Sequence, residues 1–263
     1  MNKNSKIYIF HIATNDKDFL VLSPFEKVKN LTGVFQEKII EGRYGSEPDV
    51  EWLSRFRTKL YDKIEIEVSR FVSDLRFVSR FLISSAVFFG VFLVLNYAIR
   101  DPLIIVDELL GAIAVSIGTY MFLGRKAMQS SIAEKKRNQL RQEVDQIKFT
   151  PSSFVTNIEK ELSRFNENSP SRVMKIDQES EDIVVKKTDR EEAGQFLDLL
   201  SEKYRLNSKK NEKELMGSFR DKRSLLNKIF VSKLLKINNL SPSIVEMSLL
   251  KIFYQLKNAL DNS

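Results

Sequence analysis

Two long apolar runs restrict this chain more than anything else in it. Phe81 to Ile99 reads FLISSAVFFGVFLVLNYAI, nineteen residues without a charge. As a helix it is about 28 Å long, close to the ~30 Å hydrocarbon core of a bilayer. Leu103 to Leu123, LIIVDELLGAIAVSIGTYMFL, adds twenty-one residues broken only by Asp107 and Glu108. Such a pair makes a helical hairpin, either buried in a large soluble core or set across a membrane. The abrupt basic borders favour the membrane.

The connection is Arg100-Asp101-Pro102. Asp101 can cap the second helix, and Pro102 suits a first helical position, where no N–H is needed. So short a link makes the two spans antiparallel neighbours. Lys63, Arg70, Arg76 and Arg80 precede the first span, and Arg125, Lys126, Lys135, Lys136, Arg137 and Arg141 follow the second. The turn holds Arg100 alone, so ten basic residues stand against one. Both termini are therefore expected in the cytoplasm, with the turn external.

A tight hairpin sets Asn96 level with Asp107, Phe92 with Gly111, Phe89 with Ala114 and Ser85 with Gly118. At 3.6 residues per turn these positions form one stripe on each helix. Large rings would then face small residues, the usual means of close approach between membrane helices. Asn96 could hydrogen-bond Asp107. Charges within a span are a functional hypothesis. Asp107 and Glu108 lie only about 7–9 Å past the turn, however, where they can reach the outer interface. A second stripe, Glu108, Ala112, Ser116 and Thr119, suits a pore if several copies assemble with that face inward. Glu108 would then form a cation-selecting ring.

The remaining sequence reads as cytoplasmic and mainly helical, with a small α+β component. Leu53, Phe56, Leu60, Ile64, Val68, Phe71, Leu75, Val78 and Leu82 step by three and four, predicting an amphipathic stalk helix over 49–80 that runs on into the first span (81–99). After the turn (100–102) and second span (103–123), residues 124–150 predict a second stalk helix with Met128, Ile132, Leu140, Val144 and Ile147 as its stripe. Lys136 interrupts that coiled-coil pattern. Residues 1–48 predict strands at Ile7–Ile12 and Phe19–Leu22, then a helix opened by Ser23-Pro24-Phe25-Glu26 and stopped near Gly42. Residues 151–263 predict a short helix from Phe154 to Phe165, strands at Val173–Ile176 and Ile183–Val185, and a capping box at Thr188–Glu191 opening a helix to Leu206. Two more helices follow, over 210–237 and 243–260. Pairing of the N-terminal strands with those near 173–185 would make one split α+β domain.

Chemistry is harder to find. There is no cysteine and one histidine, His11, which removes disulfides, thiolate chemistry and any site needing two imidazoles. The nine glycines form no phosphate-binding loop, and no HExxH or Gly-x-Ser-x-Gly pattern occurs. The acidic turn 177–182 lacks the ligand spacing and glycine of a calcium loop. The basic residues from Lys203 to Arg223 are interleaved with acids, as on a solvated helix rather than a nucleic-acid surface. A net charge of +7 favours an anionic partner, and Arg125, Lys126, Lys135, Lys136 and Arg137 would lie against anionic headgroups.

The sequence thus predicts a two-span membrane protein without catalytic or cofactor sites. It would act as an anchor, adaptor or scaffold, with the bilayer, cytoplasmic proteins or further copies of itself as partners. The alternative is an oligomeric cation channel lined by the second span. Ile7–Ala13 is too short and polar for an export signal, which favours a bacterial cytoplasmic membrane.

Overall fold

In the computed structural model the residues described are 5–14, 18–26, 30–99, 105–166, 183, 185–220, 224–240 and 243–261. They divide into two units. One takes the described residues of Met1–Lys29, Val34–Trp52 and Ile147–Ser263, and the other those of Asn30–Gly33 and Leu53–Gln146.

The first unit is built on strand β1, Ser5–Ala13, where the sequence predicts its first strand. Tyr8 to Ile12 are all buried, so the run is apolar on both faces, as an interior strand requires. Strand β2, Phe19–Leu22, pairs with it antiparallel, His11 opposite Val21. Helix α1, Leu31–Glu37, is shorter than expected. The chain leaves it at Lys38 and forms a strand, β3, Lys38–Tyr44, where the sequence suggests helix continuing toward Gly42. β3 lies parallel to β1, Ile9 opposite Gly42, and β4, Phe149–Pro151, lies parallel to β3 on its other side. The sheet order is β2-β1-β3-β4. Gly42 is what permits β4 to approach, because a Cβ there would run into the Phe149 ring. Ile39 and Ile40 favour the pleated state once β1 is available as a partner.

β1 therefore has β2 on one side and Lys38–Tyr44 on the other, and Phe149–Pro151 joins the sheet through β3. Val173–Ile176 and the acidic turn 177–182 lie outside the described residues. Ile183 is buried in the core but belongs to no strand. One unit does combine the N-terminal strands with the C-terminal helices around a shared core.

Its helices are α5, Ser153–Asn166; α6, Arg190–Lys203; α7, Lys209–Arg220; α8, Ser224–Ile237; and α9, Ile244–Asp261. Of the helix expected over 210–237 the described residues form α7 and α8, and 221–223 lie outside the described residues. The helix expected to open on a capping box instead follows a 3-10 turn, Lys187–Asp189, and Asp189 makes no side-chain cap bond. Tyr8, Phe10 and Ile12, on one face of β1 by period two, enter the core with α5 to α9. Phe10 meets Phe196 and Phe154 edge-on, at centroid distances of 5.3 and 6.4 Å. Helix α9 is buried over nearly its whole girth from Met247 to Phe253, the mark of a central helix. Its apolar residues, and Val231, Leu234 and Leu235 of α8, are intramolecular core.

The second unit holds most of α2, Val50–Ile99, a continuous helix of 50 residues and so about 75 Å long. Asp49 starts it by accepting the Trp52 N–H at 2.6 Å. Helix α3 runs Ile105–Met128 and α4 Ser131–Asp145. The single stalk helix expected over 124–150 is thus broken at Gln129-Ser130, where Ser130 caps α4. The α2 positions buried below the apolar run are Leu60, Ile64, Val68 and Val72, whereas Phe71, Leu75, Val78 and Leu82 are exposed. On α4 the buried positions are Ala133, Leu140 and Val144, while Ile132 is exposed.

Candidate functional site

The faces of α2 and α3 that meet are set by small and polar side chains. Ser84 and Ser116 lie with their hydroxyls 2.8 Å apart, Ser84 donating to the Ser116 carbonyl at 2.8 Å and Ser116 to the Ser84 carbonyl at 3.0 Å. The apolar runs offer few other polar handles, so this reciprocal pair pins the rotation of both helices. Further along, a Cβ at Gly111 would stand 3.2 Å from Leu95. In the other direction Arg80 lies over the Tyr120 ring, 4.1 Å from its centroid, and donates to the Tyr120 carbonyl at 3.2 Å.

The turn Arg100-Asp101-Pro102 lies outside the described residues, and the candidate residues within the spans have these places. Asp107, Gly118 and Asn96 are exposed, and Gly111 is half-buried. The stripe expected between the helices, Asp107–Gly111–Ala114–Gly118 on Ser85–Phe89–Phe92–Asn96, is therefore turned largely outward, and of its α3 members Gly111 alone stays against α2, beside Leu95. The helices meet instead through the second stripe. Glu108 and Ala112 are buried at 3% and 0% exposure, Ser116 is bonded to Ser84, and Thr119 is half-buried, donating to its own helix at the Val115 carbonyl. An all-apolar helix has no amphipathic signal from which to read its inner face. The hydroxyl pair supplies it. One carboxylate oxygen of Glu108, Oε2, has no hydrogen-bond partner.

The basic residues sort into two groups. Arg137 donates through Nε to Glu65 at 2.7 Å, and Arg141 reaches the same carboxylate at 3.1 Å. The hydrogen bond from Arg137 holds Glu65 below the usual carboxylate range. Tyr61 donates to Asp145 beside them, under the Arg141 guanidinium. Lys136 lies 5.6 Å from the centre of the Phe71 ring, and burial lowers its pKa against the pull of Glu67. Arg137 and Lys136 are thereby engaged within the protein. Arg125, Lys126 and Lys135 are exposed.

In the first unit, His11 has 4% exposure. It lies on the β1 face opposite the helical core, with its ring 4.4 Å from Trp52 and 5.0 Å from Phe19. Neither ring nitrogen has a side-chain partner, and burial holds its pKa below the ordinary range despite Glu159, Asp49 and the Ser46 backbone. Glu159 accepts the Ala13 N–H and the Ser46 hydroxyl, each at 2.8 Å. Tyr204 is fully buried and donates to Glu246, which also holds Lys203 at 2.8 Å. Burial, with Glu246 beside it, pushes the Tyr204 phenol well above its ordinary range. Arg43 bridges Glu41 and Glu192, each at 2.7 Å. Arg43 and Glu159 tie strands to helices, and Glu246 ties α9 to the end of α6. A cavity of about 340 Å³ beside β2, lined by Leu20 to Ser23, Leu199, Glu202, Lys203 and Leu240, is mostly apolar. Among the described residues no three His, Asp or Glu side chains gather as a metal site would need.

Sequence reasoning counted Arg80 toward orientation but missed its seat on Tyr120. The signal available was Gly124, four residues beyond Tyr120 and so on the same helix face. Comparison with known families, curated proteins and solved structures finds no match to this chain.

Proposed function

We propose that this protein is a non-enzymatic membrane anchor, whose antiparallel hairpin of α2 and α3 crosses the bilayer and carries the split α+β domain at the cytoplasmic face. The observation that carries this reading is exposure. Both helices are long and apolar enough to cross a membrane, yet only 6% and 11% of their most apolar windows are buried. A helical hairpin in a soluble core would be mostly covered, and this much exposed hydrocarbon is found where lipid covers it. The asymmetry of basic residues supports cytoplasmic termini. The α2–α4 stalk and the helical domain are then the parts that would present themselves to protein partners or further copies.

The anchor reading is favoured over the pore by the same geometry. Glu108, Ala112 and Ser116, the stripe that a channel would turn to its lumen, are buried or bonded within one chain.

The test is topology in the native membrane. Single cysteines at Asp101 and at Ser263, in a chain with none of its own, are exposed in turn to a membrane-impermeant maleimide. Labelling of position 101 from outside, and of 263 only after permeabilisation, is the expected result. Release of the protein by alkaline carbonate, or equal labelling of both sites from one side, refutes the hairpin. Cation flux abolished by Glu108→Gln would instead establish the channel.

A further inference from the structure

Arg80 is seated in a way that its packing alone does not use up. Its guanidinium has five N–H donors. One nitrogen, Nη2, donates to the Tyr120 carbonyl, and Nε is buried with no partner. The seat depends on Gly124, where a Cβ would stand 2.7 Å from Nη2. Arg76 is one turn away on α2, and Arg125 and Lys126 directly follow Gly124. Among the described residues none of these four cations forms an ion pair with a carboxylate, whereas Arg137 and Arg141, farther from the apolar run, both pair with Glu65, with Arg141 Nε buried and unpartnered. The uncompensated charge is concentrated where the apolar surface of α2 and α3 begins. There Phe81 and Phe122 are exposed at 56% and 65%.

An anion with several acceptor oxygens suits a guanidinium held in this way, and exposed rings beside it suit an acyl chain rather than water. We propose that Arg80, with Arg76, Arg125 and Lys126, forms a headgroup site for an anionic phospholipid. Tyr120 and Gly124 orient the arginine. This inference rests on the membrane reading above and adds lipid selectivity to it.

The full-length protein is reconstituted in nanodiscs of phosphatidylcholine containing a minor share of phosphatidylglycerol, and the lipids retained after extraction are counted by native mass spectrometry. Wild type should retain phosphatidylglycerol preferentially. Arg80→Gln should lower that preference about fivefold, equivalent to ~1 kcal/mol for one basic residue at the surface. Gly124→Ala keeps every charge and should move it in the same direction, while Lys160→Gln, removing an exposed charge from α5, should not. Native Trp52 emission in each variant confirms folding of the first unit. Unchanged retention in both Arg80→Gln and Gly124→Ala overturns the site. So does displacement of the lipid by millimolar inorganic phosphate, which would make it a free-phosphate site. Failure of the protein to enter the discs refutes the membrane reading itself, and with it this one.

Discussion

Acidification should destabilise the first unit through His11. The imidazole is 4% exposed, and burial places its folded-state pKa below the ordinary ~6.5. Above about pH 6.5 it is neutral in both folded and unfolded chains, so its contribution to stability is intact. Below that, the unfolded chain binds a proton that the folded one resists, and stability falls with pH. The slope is at most ~1.4 kcal/mol per pH unit, one proton's worth, and the loss ends once the folded-state imidazole also protonates. Because the chain has one histidine, no other side chain has its ordinary pKa in this window. The chain also has one tryptophan, Trp52, 4.4 Å from His11, so its emission reports unfolding of this unit. Urea midpoints read from that emission, from about pH 7.5 to about pH 5, should decline for wild type. His11→Phe preserves a ring against Trp52 and Phe19 without a titrating group, and its midpoints should stay flatter. Parallel pH profiles for the two proteins would refute the argument, because they would show that a group other than His11 titrates on unfolding.

Cysteines at Ser84 and Ser116 should cross-link readily under mild oxidation in this cysteine-free chain, since the two hydroxyls are 2.8 Å apart. The pair Ser85 and Gly118, level in a simple hairpin count, should not. Equal cross-linking of both pairs on denaturing gels would mean that the helices turn freely against each other. Phe10→Ala should cost about 3–5 kcal/mol of stability, as expected for removing a fully buried ring, because Phe154 and Phe196 both pack on it. A loss below about 1 kcal/mol by urea titration would show that this core collapses around the gap.

How far the sequence reaches can be judged element by element. The long helix α2 is legible because apolar spacing by three and four, an Asp49 cap and a charge-free run are all local properties. The first strand is legible as a short β-rich apolar segment, and the last helix is expected from 243, where the Ser243 hydroxyl accepts the Glu246 N–H at 3.2 Å. Residues 38–44 are not. Their isoleucines and glycine are compatible with a helix end until β1 offers a parallel edge and Phe149 occupies the space over Gly42.

The same division holds for the candidate site. Length, hydropathy and charge asymmetry by themselves determine that two segments are suited to a bilayer, because the match of a helix to hydrocarbon thickness depends on residue count and polarity alone. They leave undetermined which side of each helix faces the other, since every side of such a helix is apolar. Only the tertiary structure decides that, through the Ser84–Ser116 pair and the Arg80 seat. A few short-range polar contacts in an otherwise uniform surface select one rotation. It also decides which cations are spent within the protein, because Glu65 meets Arg137 across 72 residues of sequence, a distance no local pattern records.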